Sequence, residues 1–116
     1  MTDLPIIEIR VTPEFQRKLR TLAKKYRQIQ TDIQPILAQL QAGEQVGDKL
    51  TGIGADVFKA RVRNSDAKRG KSGGYRLIYW IQLSTCIILI DIYSKSEQEK
   101  IEVAEIQRII AAFEIT

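Results

Sequence analysis

The chain has 116 residues, 18 Lys and Arg against 14 Asp and Glu, and no histidine. That length supports one folded domain spanning residues 1–116 with a real core. Without His, and with Cys86 as the lone cysteine, His-based acid–base schemes and the familiar zinc sites are excluded, so no metal and no cofactor is expected. Any chemistry falls to Lys, Arg, Tyr, Asp, Glu, Ser or Thr.

No apolar run reaches the roughly 20 residues of a membrane-spanning helix. The longest, Cys86-Ile87-Ile88-Leu89-Ile90, is strand-sized. Met1 to Pro5 lacks the basic region, apolar stretch and cleavage site of a signal peptide, and a single Cys cannot form an internal disulfide. The expected compartment is the cytoplasm, with no membrane partner.

In chain order, Leu4 to Val11 reads as a first or edge strand. Thr12-Pro13-Glu14 is a helix start, with Thr as cap, Pro at the first helical position and Glu at the positive end of the dipole. Phe15, Leu19, Leu22 and Tyr26 then form an apolar stripe beside a basic face. A second helix is expected from a Thr31/Gln34 capping box, with Pro35 in its first turn and Gly43 as its stop. Ile33, Ile36, Leu37 and Leu40 give its apolar face, so the two helices should pack as an antiparallel pair. Gly43 to Asp56 holds four of the seven glycines and reads as a loop. Three strands follow, Val57 to Arg63, Gly74 to Gln82 and Cys86 to Tyr93, the last two joined by a short turn around Leu83-Ser84-Thr85. Ile101 to Phe113 closes the chain as a helix, with Glu97, Glu99 and Glu102 expected to charge its first turn. The order β-α-α-β-β-β-α predicts an α+β fold built on a small antiparallel sheet.

The charge is unevenly placed. Val57 to Arg76 carries seven basic residues, Lys59, Arg61, Arg63, Lys68, Arg69, Lys71 and Arg76, against Asp66 alone. Glu14 to Arg27 adds Arg17, Lys18, Arg20, Lys24, Lys25 and Arg27. A basic stripe on a nearly neutral domain is the footprint of a polyanion partner, although on a helix it is equally a solvated surface. Alternation puts Lys59, Arg61 and Arg63 on one face of their strand and Phe58, Ala60 and Val62 on the other. In the next strand Arg76, Ile78 and Trp80 share one parity. In-register pairing would bring Arg76 beside Arg61 or Arg63, and Lys95, just after the third strand, could reach the same face. Converging cations repel each other, so the arrangement makes sense around a phosphate. Arginine clamps phosphate oxygens in a fork, and a lysine crowded by arginines is expected to titrate lower and so to move a proton. Such a set can cleave RNA, which carries its own 2′-hydroxyl nucleophile, but not DNA. Gly70-Lys71-Ser72 is not a phosphate-binding P-loop, because Ser65 replaces the earlier glycine and a strand follows.

Three segments carry a family resemblance: Phe58-Lys59-Ala60-Arg61-Val62-Arg63, Arg69-Gly70-Lys71-Ser72-Gly73-Gly74-Tyr75-Arg76-Leu77-Ile78-Tyr79 and Ile92-Tyr93-Ser94-Lys95-Ser96-Glu97. Together they resemble the RelE/ParE superfamily of bacterial toxins, most of all its HigB-like branch, over about Gly47 to Ile110. The resemblance implies the toxin of a type II toxin–antitoxin system, a ribosome-dependent messenger-RNA endonuclease neutralised by a small cognate antitoxin. It implies Arg76 as the holder of the scissile phosphate and Lys59 and Arg61 as RNA-contacting catalytic residues, with Arg63 beside them; the basic stripe adds Lys68, Arg69 and Lys71, and Tyr93 joins them as an expected RNA contact. Two departures bear on the chemistry. Ser96 stands where RelE has a further arginine, making Lys95 beside it the candidate substitute. Ile101 and Glu102 occupy the region of a RelE tyrosine, leaving the general base unassigned and Tyr93 as a candidate. A gyrase-inhibiting ParE-type toxin and a non-catalytic RNA-binding module are the competing readings.

Overall fold

The computed structural model describes residues 6–66 and 73–115. The elements run β1 (Glu8–Val11), α1 (Pro13–Lys25), α2 (Ile29–Gln41), β2 (Asp48–Lys49), β3 (Val57–Val62), β4 (Tyr75–Leu83), β5 (Cys86–Ser94) and α3 (Val103–Ile115). They form a five-stranded sheet in the order β1-β5-β4-β3-β2. The strands β3, β4 and β5 are the expected antiparallel meander, and β1 joins its far edge parallel to β5. The two-residue β2 falls inside the segment read as loop and pairs antiparallel with β3, Asp48 opposite Lys59. Among the described residues no helix is long and apolar enough to cross a membrane.

Strand alternation sends side chains into two separate cores. On one face Phe58, Ala60 and Val62 of β3, Tyr75, Leu77 and Tyr79 of β4, and Ile87, Leu89 and Ile92 of β5 pack with Phe15 and Leu22 of α1 and Ile29, Ile33, Ile36 and Leu40 of α2. On the other face Val57, Ile78, Trp80, Ile88 and Ile90 pack with Ile106 and Ile109 of α3. The cationic residues Lys59, Arg61 and Arg76 share this second parity. The α3 side of the sheet is therefore apolar at one end and positively charged at the other.

Local chemistry explains the helix ends, with one departure from the sequence reading. Thr12 caps α1 as expected: its Oγ1 accepts from the Phe15 backbone N–H at 3.0 Å, and the same hydroxyl lies 3.1 and 3.0 Å from the Leu89 and Ile90 carbonyl oxygens. The cap thus fixes α1 to the sheet as well as starting it. Helix α2 does not begin at a Thr31/Gln34 capping box but at Ile29, after Gln28. The carboxylate of Asp66 accepts from the Gln28 backbone N–H at 2.7 Å, and Asp32 accepts from the Ser65 N–H at 2.9 Å. The group that satisfies this helix start comes from the β3–β4 connection, 38 residues away. Pro35 consequently lies inside the helix instead of in its first turn. At the other end Gly43 (φ 89°) closes α2 through Gly43 N–H to Leu40 O and Glu44 N–H to Gln39 O, a Schellman arrangement that requires the left-handed residue.

Helix α3 starts at Val103, two residues later than expected, and Glu97, Glu99 and Glu102 precede it; the acid in its first turn is Glu105. Glu97 and Glu99 are held by Lys25 and Lys95.

Candidate active site

The positively charged end of the α3 face opens into a cleft of ≈ 450 Å³ lined by Val46, Gly47, Asp48, Lys59, Arg61, Arg76 and Lys95. Strand register builds it. Arg61 is the direct partner of Arg76 across β3 and β4, and Arg76 in turn pairs with Tyr93 on β5. Lys59 lies one pleat from Arg61 on the same face, and Lys95 follows β5 immediately. Four of the five basic side chains expected to converge, Lys59, Arg61, Arg76 and Lys95 but not Arg63, therefore line one cleft.

Arg76 is 8% exposed. Its Nη1 donates to the carbonyl oxygen of Gly73 and, at 3.3 Å, to that of Tyr75. Two backbone acceptors fix the plane of the guanidinium, which pre-orients a rigid fork at the cleft wall. Lys95 is anchored twice. Its backbone N–H donates to Gly74 O at 2.9 Å, and its Nζ donates to Glu99 O at 2.8 Å and to Glu99 Oε1 at 3.2 Å. Among the described residues Lys59, Arg61 and Arg76 form no ion pair; Glu99 pairs with Lys95, and Asp48, opposite Lys59, is the acid in the cleft lining.

Two glycines shape the wall. At Gly74 (φ 69°) a Cβ would stand 2.3 Å from the Val62 carbonyl oxygen, so the backbone must be glycine there for both conformation and close approach. At Gly73 a Cβ would meet the Lys95 Cγ at 2.8 Å and lie 3.4 Å from Arg76 Nη2. The opposite rim rests on Gly47 (φ 91°), where a Cβ would fall 2.2 Å from the Lys59 carbonyl oxygen. Tyr79 ties that rim to the sheet, its hydroxyl donating to Val46 O at 2.5 Å.

Not every sequence candidate comes to the cleft. Arg63 lies just past the end of β3 rather than on the strand; it is exposed and outside the cleft lining. Lys68, Arg69 and Lys71 lie outside the described residues. Tyr93 is 2% exposed, so its ring has no open face for a base, and Lys18 Nζ lies 5.9 Å from its centre. Burial pushes the Tyr93 phenol above its ordinary range, partly offset by the nearby Arg76 charge. A phenol shifted upward is a poorer proton donor near neutral pH and is not ionised there to act as a base. The sequence reading missed Gly47, Asp48 and Glu99. Gly47 and Asp48 sat in a stretch read as structureless, and the i,i+4 spacing of Lys95 and Glu99 was the available signal for that pair.

Among the described residues no group of three acidic or cysteine side chains gathers that could hold a metal ion. Chemically, the arrangement offers one oriented guanidinium fork, a second arginine facing it and two ammonium groups around a space large enough for a phosphodiester and its flanking sugars. That set can neutralise phosphate oxygens and deliver a proton, but it contains no obvious strong base.

No protein-family model and no curated protein matches the chain. Among solved structures it is similar to an arginine-to-alanine double mutant of the E. coli toxin RelE in the free state, with a TM-score of 0.58 and 18% sequence identity, over 91% of this chain and 99% of that one. The α+β architecture, with its three helices and five-stranded sheet, is thus a RelE-like fold.

Proposed function

We propose that the chain is the toxin of a type II toxin–antitoxin system, an endoribonuclease of the RelE/HigB-like kind that cuts messenger RNA on the ribosome and so inhibits translation. The observation that carries this reading is the gathering of Lys59, Arg61 and Arg76 in one cleft with no ion pair among the described residues and Asp48 as the one acid in the lining. Three cations on adjacent strands against one acid oppose folding, and a bound phosphodiester would resolve the repulsion. The RelE-like fold supports the same conclusion, and a small cognate antitoxin and a cytoplasmic site of action follow from it.

In this mechanism the RNA 2′-hydroxyl oxygen attacks the adjacent phosphorus, and the bond from phosphorus to the 5′-oxygen of the next nucleotide breaks. The products are a 2′,3′-cyclic phosphate and a free 5′-hydroxyl. Arg76, held flat by Gly73 and Tyr75, neutralises the charge that grows on the non-bridging oxygens. Arg61 faces it from β3 and grips the neighbouring phosphate. Lys59 and Lys95 line the same space, and as ammonium groups they are the proton donors for the leaving 5′-oxygen. The 2′-hydroxyl proton goes to water, the ribosome or the RNA itself, since none of these residues is a strong base.

The reading is tested by incubating the purified chain with ribosomes programmed with a defined message and mapping breaks by primer extension. Discrete cuts that need both chain and ribosome are expected, with gyrase supercoiling unaffected. Blocked supercoiling with an intact message would assign the chain to gyrase inhibition instead. Salt-sensitive RNA binding with neither effect would make it a non-catalytic RNA-binding module.

A further inference from the structure

A second cavity, of ≈ 280 Å³, lies between α1 and the segment that follows β5. It shares no lining residue with the cleft, yet one stretch of chain builds both. Tyr93, Ser94, Glu97 and Gln98 line this cavity, whereas Lys95 lines the cleft and is held by Glu99. Arg17, Lys18, Thr21 and Leu22 line it from α1. Its size is near the lower end of the range for small-molecule pockets, about 300–1,000 Å³. The charges of the lining do not cancel. Lys18 Nζ is 3.1 Å from the buried Asp91, and Glu97 accepts from Lys25 at 2.7 Å and from the Tyr26 hydroxyl at 2.8 Å. Arg17 is exposed and forms no ion pair among the described residues. Glu105 of α3, which feels the Arg17 charge, is taken by Arg108 at 2.6 Å. The uncommitted charge is therefore positive.

Gln98 supplies the second requirement, because the fold holds its amide in place. Its Oε1 accepts from Lys18 Nζ at 3.3 Å, and its Nε2 donates to Lys100 O at 3.0 Å. Each atom keeps one free bonding position, a lone pair and an N–H. An amide with that remainder matches the edge of adenine, accepting from N6 and donating to N7. We propose that this cavity is a ligand site, separate from the cleft, that takes an adenine nucleoside monophosphate. The base lies along Leu22 and the carbon stem of Lys18, with its N6/N7 edge on Gln98 and its phosphate on Arg17. Guanine presents two acceptors on that edge and would set one of them against the Gln98 carbonyl. The inference goes beyond the nuclease reading and does not rest on it. Ser94 and Gln98 bracket the stretch that carries Lys95, so a ligand touching them should register at Lys95.

The test is calorimetric titration of the full chain with AMP, and with adenosine, GMP and inorganic phosphate as comparisons. AMP should bind about tenfold or more tightly than each of the other three, the worth of one charge-assisted contact or one mismatched pair. Arg17→Gln should lose that advantage over adenosine, and Gln98→Met should bind AMP and GMP alike. Lys24→Gln removes an exposed α1 charge outside the cavity and should bind as wild type does. The cleft is itself a phosphate site, so Arg61→Gln is included and should keep its affinity for AMP. Thr21→Trp, which fills the cavity from an exposed position, should abolish binding and serves if Gln98→Met is impaired in folding. In amide NMR spectra Ser94, Lys95 and Gln98 should shift together as AMP is added. No AMP binding at about 1 mM would overturn the proposal. So would loss of binding in Arg61→Gln but not in Arg17→Gln, which would place the nucleotide in the cleft. Phosphate binding as tightly as AMP would reduce the site to a simple anion contact, and a tighter adenosine trinucleotide would assign it to RNA; either result overturns it. Wild type that binds AMP as described yet leaves messenger RNA intact would remove the nuclease reading alone.

Discussion

Arg61 and Arg76 stand directly opposite each other on β3 and β4, two positive side chains in a register position where opposite charges would stabilise the sheet. Of the two, Arg76 is buried and has its guanidinium held by backbone carbonyls, whereas Arg61 is exposed. They should therefore differ in kind. Arg76→Ala is expected to cut messenger-RNA cleavage by on the order of 10²–10³, the usual loss for one oriented transition-state donor. Arg76→Lys should recover little, because an ammonium cannot reproduce the fork. Arg61→Lys should keep most activity. Single-turnover cleavage at saturating ribosome checks this, and an Arg76→Lys enzyme close to wild type would take the fork out of the mechanism.

The two adjacent glycines make a sharper comparison. A Cβ at Gly74 meets backbone, the Val62 carbonyl, in a left-handed conformation, whereas a Cβ at Gly73 meets the flexible Lys95 side chain. Gly74→Ala should destabilise the protein by about 1–3 kcal/mol or more. Gly73→Ala should cost less than Gly74→Ala, because the Lys95 Cγ and Cβ at 2.8 and 3.1 Å must give rather than backbone, while displacing Lys95, so cleavage falls more than the thermal midpoint accounts for. Equal stability losses for the two variants would mean that Lys95 is not free to yield.

What could be read in advance followed the range of the interactions involved. The α1 cap at Thr12, the stop at Gly43 and the parity that places Lys59, Arg61 and Arg76 on one face are set within a few residues, and local rules find them. The start of α2 is set by Asp66 across the fold, and no pattern near Gln28 announces it. The pairing of β1 with β5 and the register shift between Ile78 and Tyr79 are likewise decided by contacts distant in sequence. The cleft shows both sides of this. Its cations were legible from alternation, but its Gly47 rim depends on a two-residue strand too short to carry a pattern. Arg63 misled for the same reason, since alternation continues on paper one residue past the point where β3 ends.

Glu99 holds Lys95 through both its carboxylate and its backbone oxygen, yet the Glu99 side chain is itself largely exposed. Removing its charge leaves the backbone acceptor in place and frees the ammonium to meet phosphate. Glu99→Gln is expected to raise RNA affinity severalfold at low salt and to steepen the salt slope by up to about 0.9, the increment for one phosphate. Asp48→Asn, on the other rim, should act in the same direction through the field of the cleft rather than by freeing a specific partner. Weaker binding by Glu99→Gln would show that the carboxylate orients Lys95 for RNA instead of competing with it.

In acid, two carboxylates pull in opposite directions. Asp91 is 3% exposed at the end of the irregular stretch of β5, with Lys18 Nζ at 3.1 Å. Burial raises its carboxyl above the ordinary value of 3.8, and Lys18 offsets only part of the rise. The folded state therefore binds a proton at a pH where the unfolded chain has lost it, and Asp91's contribution grows as pH falls toward 3.8. Glu97 behaves in reverse. Hydrogen bonds from Lys25 and Tyr26 hold it below 4.5, so its stabilisation is complete above that value and disappears as pH falls through its lower folded value. Lys18→Ala, which strips the counter-charge from Asp91, should cost about 1–2 kcal/mol at pH 7, less than for a fully buried pair because Lys18 is about a third exposed. That loss should shrink as Asp91 takes up its proton on acidification, and Asp91→Asn should compare better with wild type at pH 7 than at pH 4. Thermal midpoints of the three proteins across that range decide the matter. A Lys18→Ala penalty that grows with acidification would mean that the ion pair, not burial, governs Asp91.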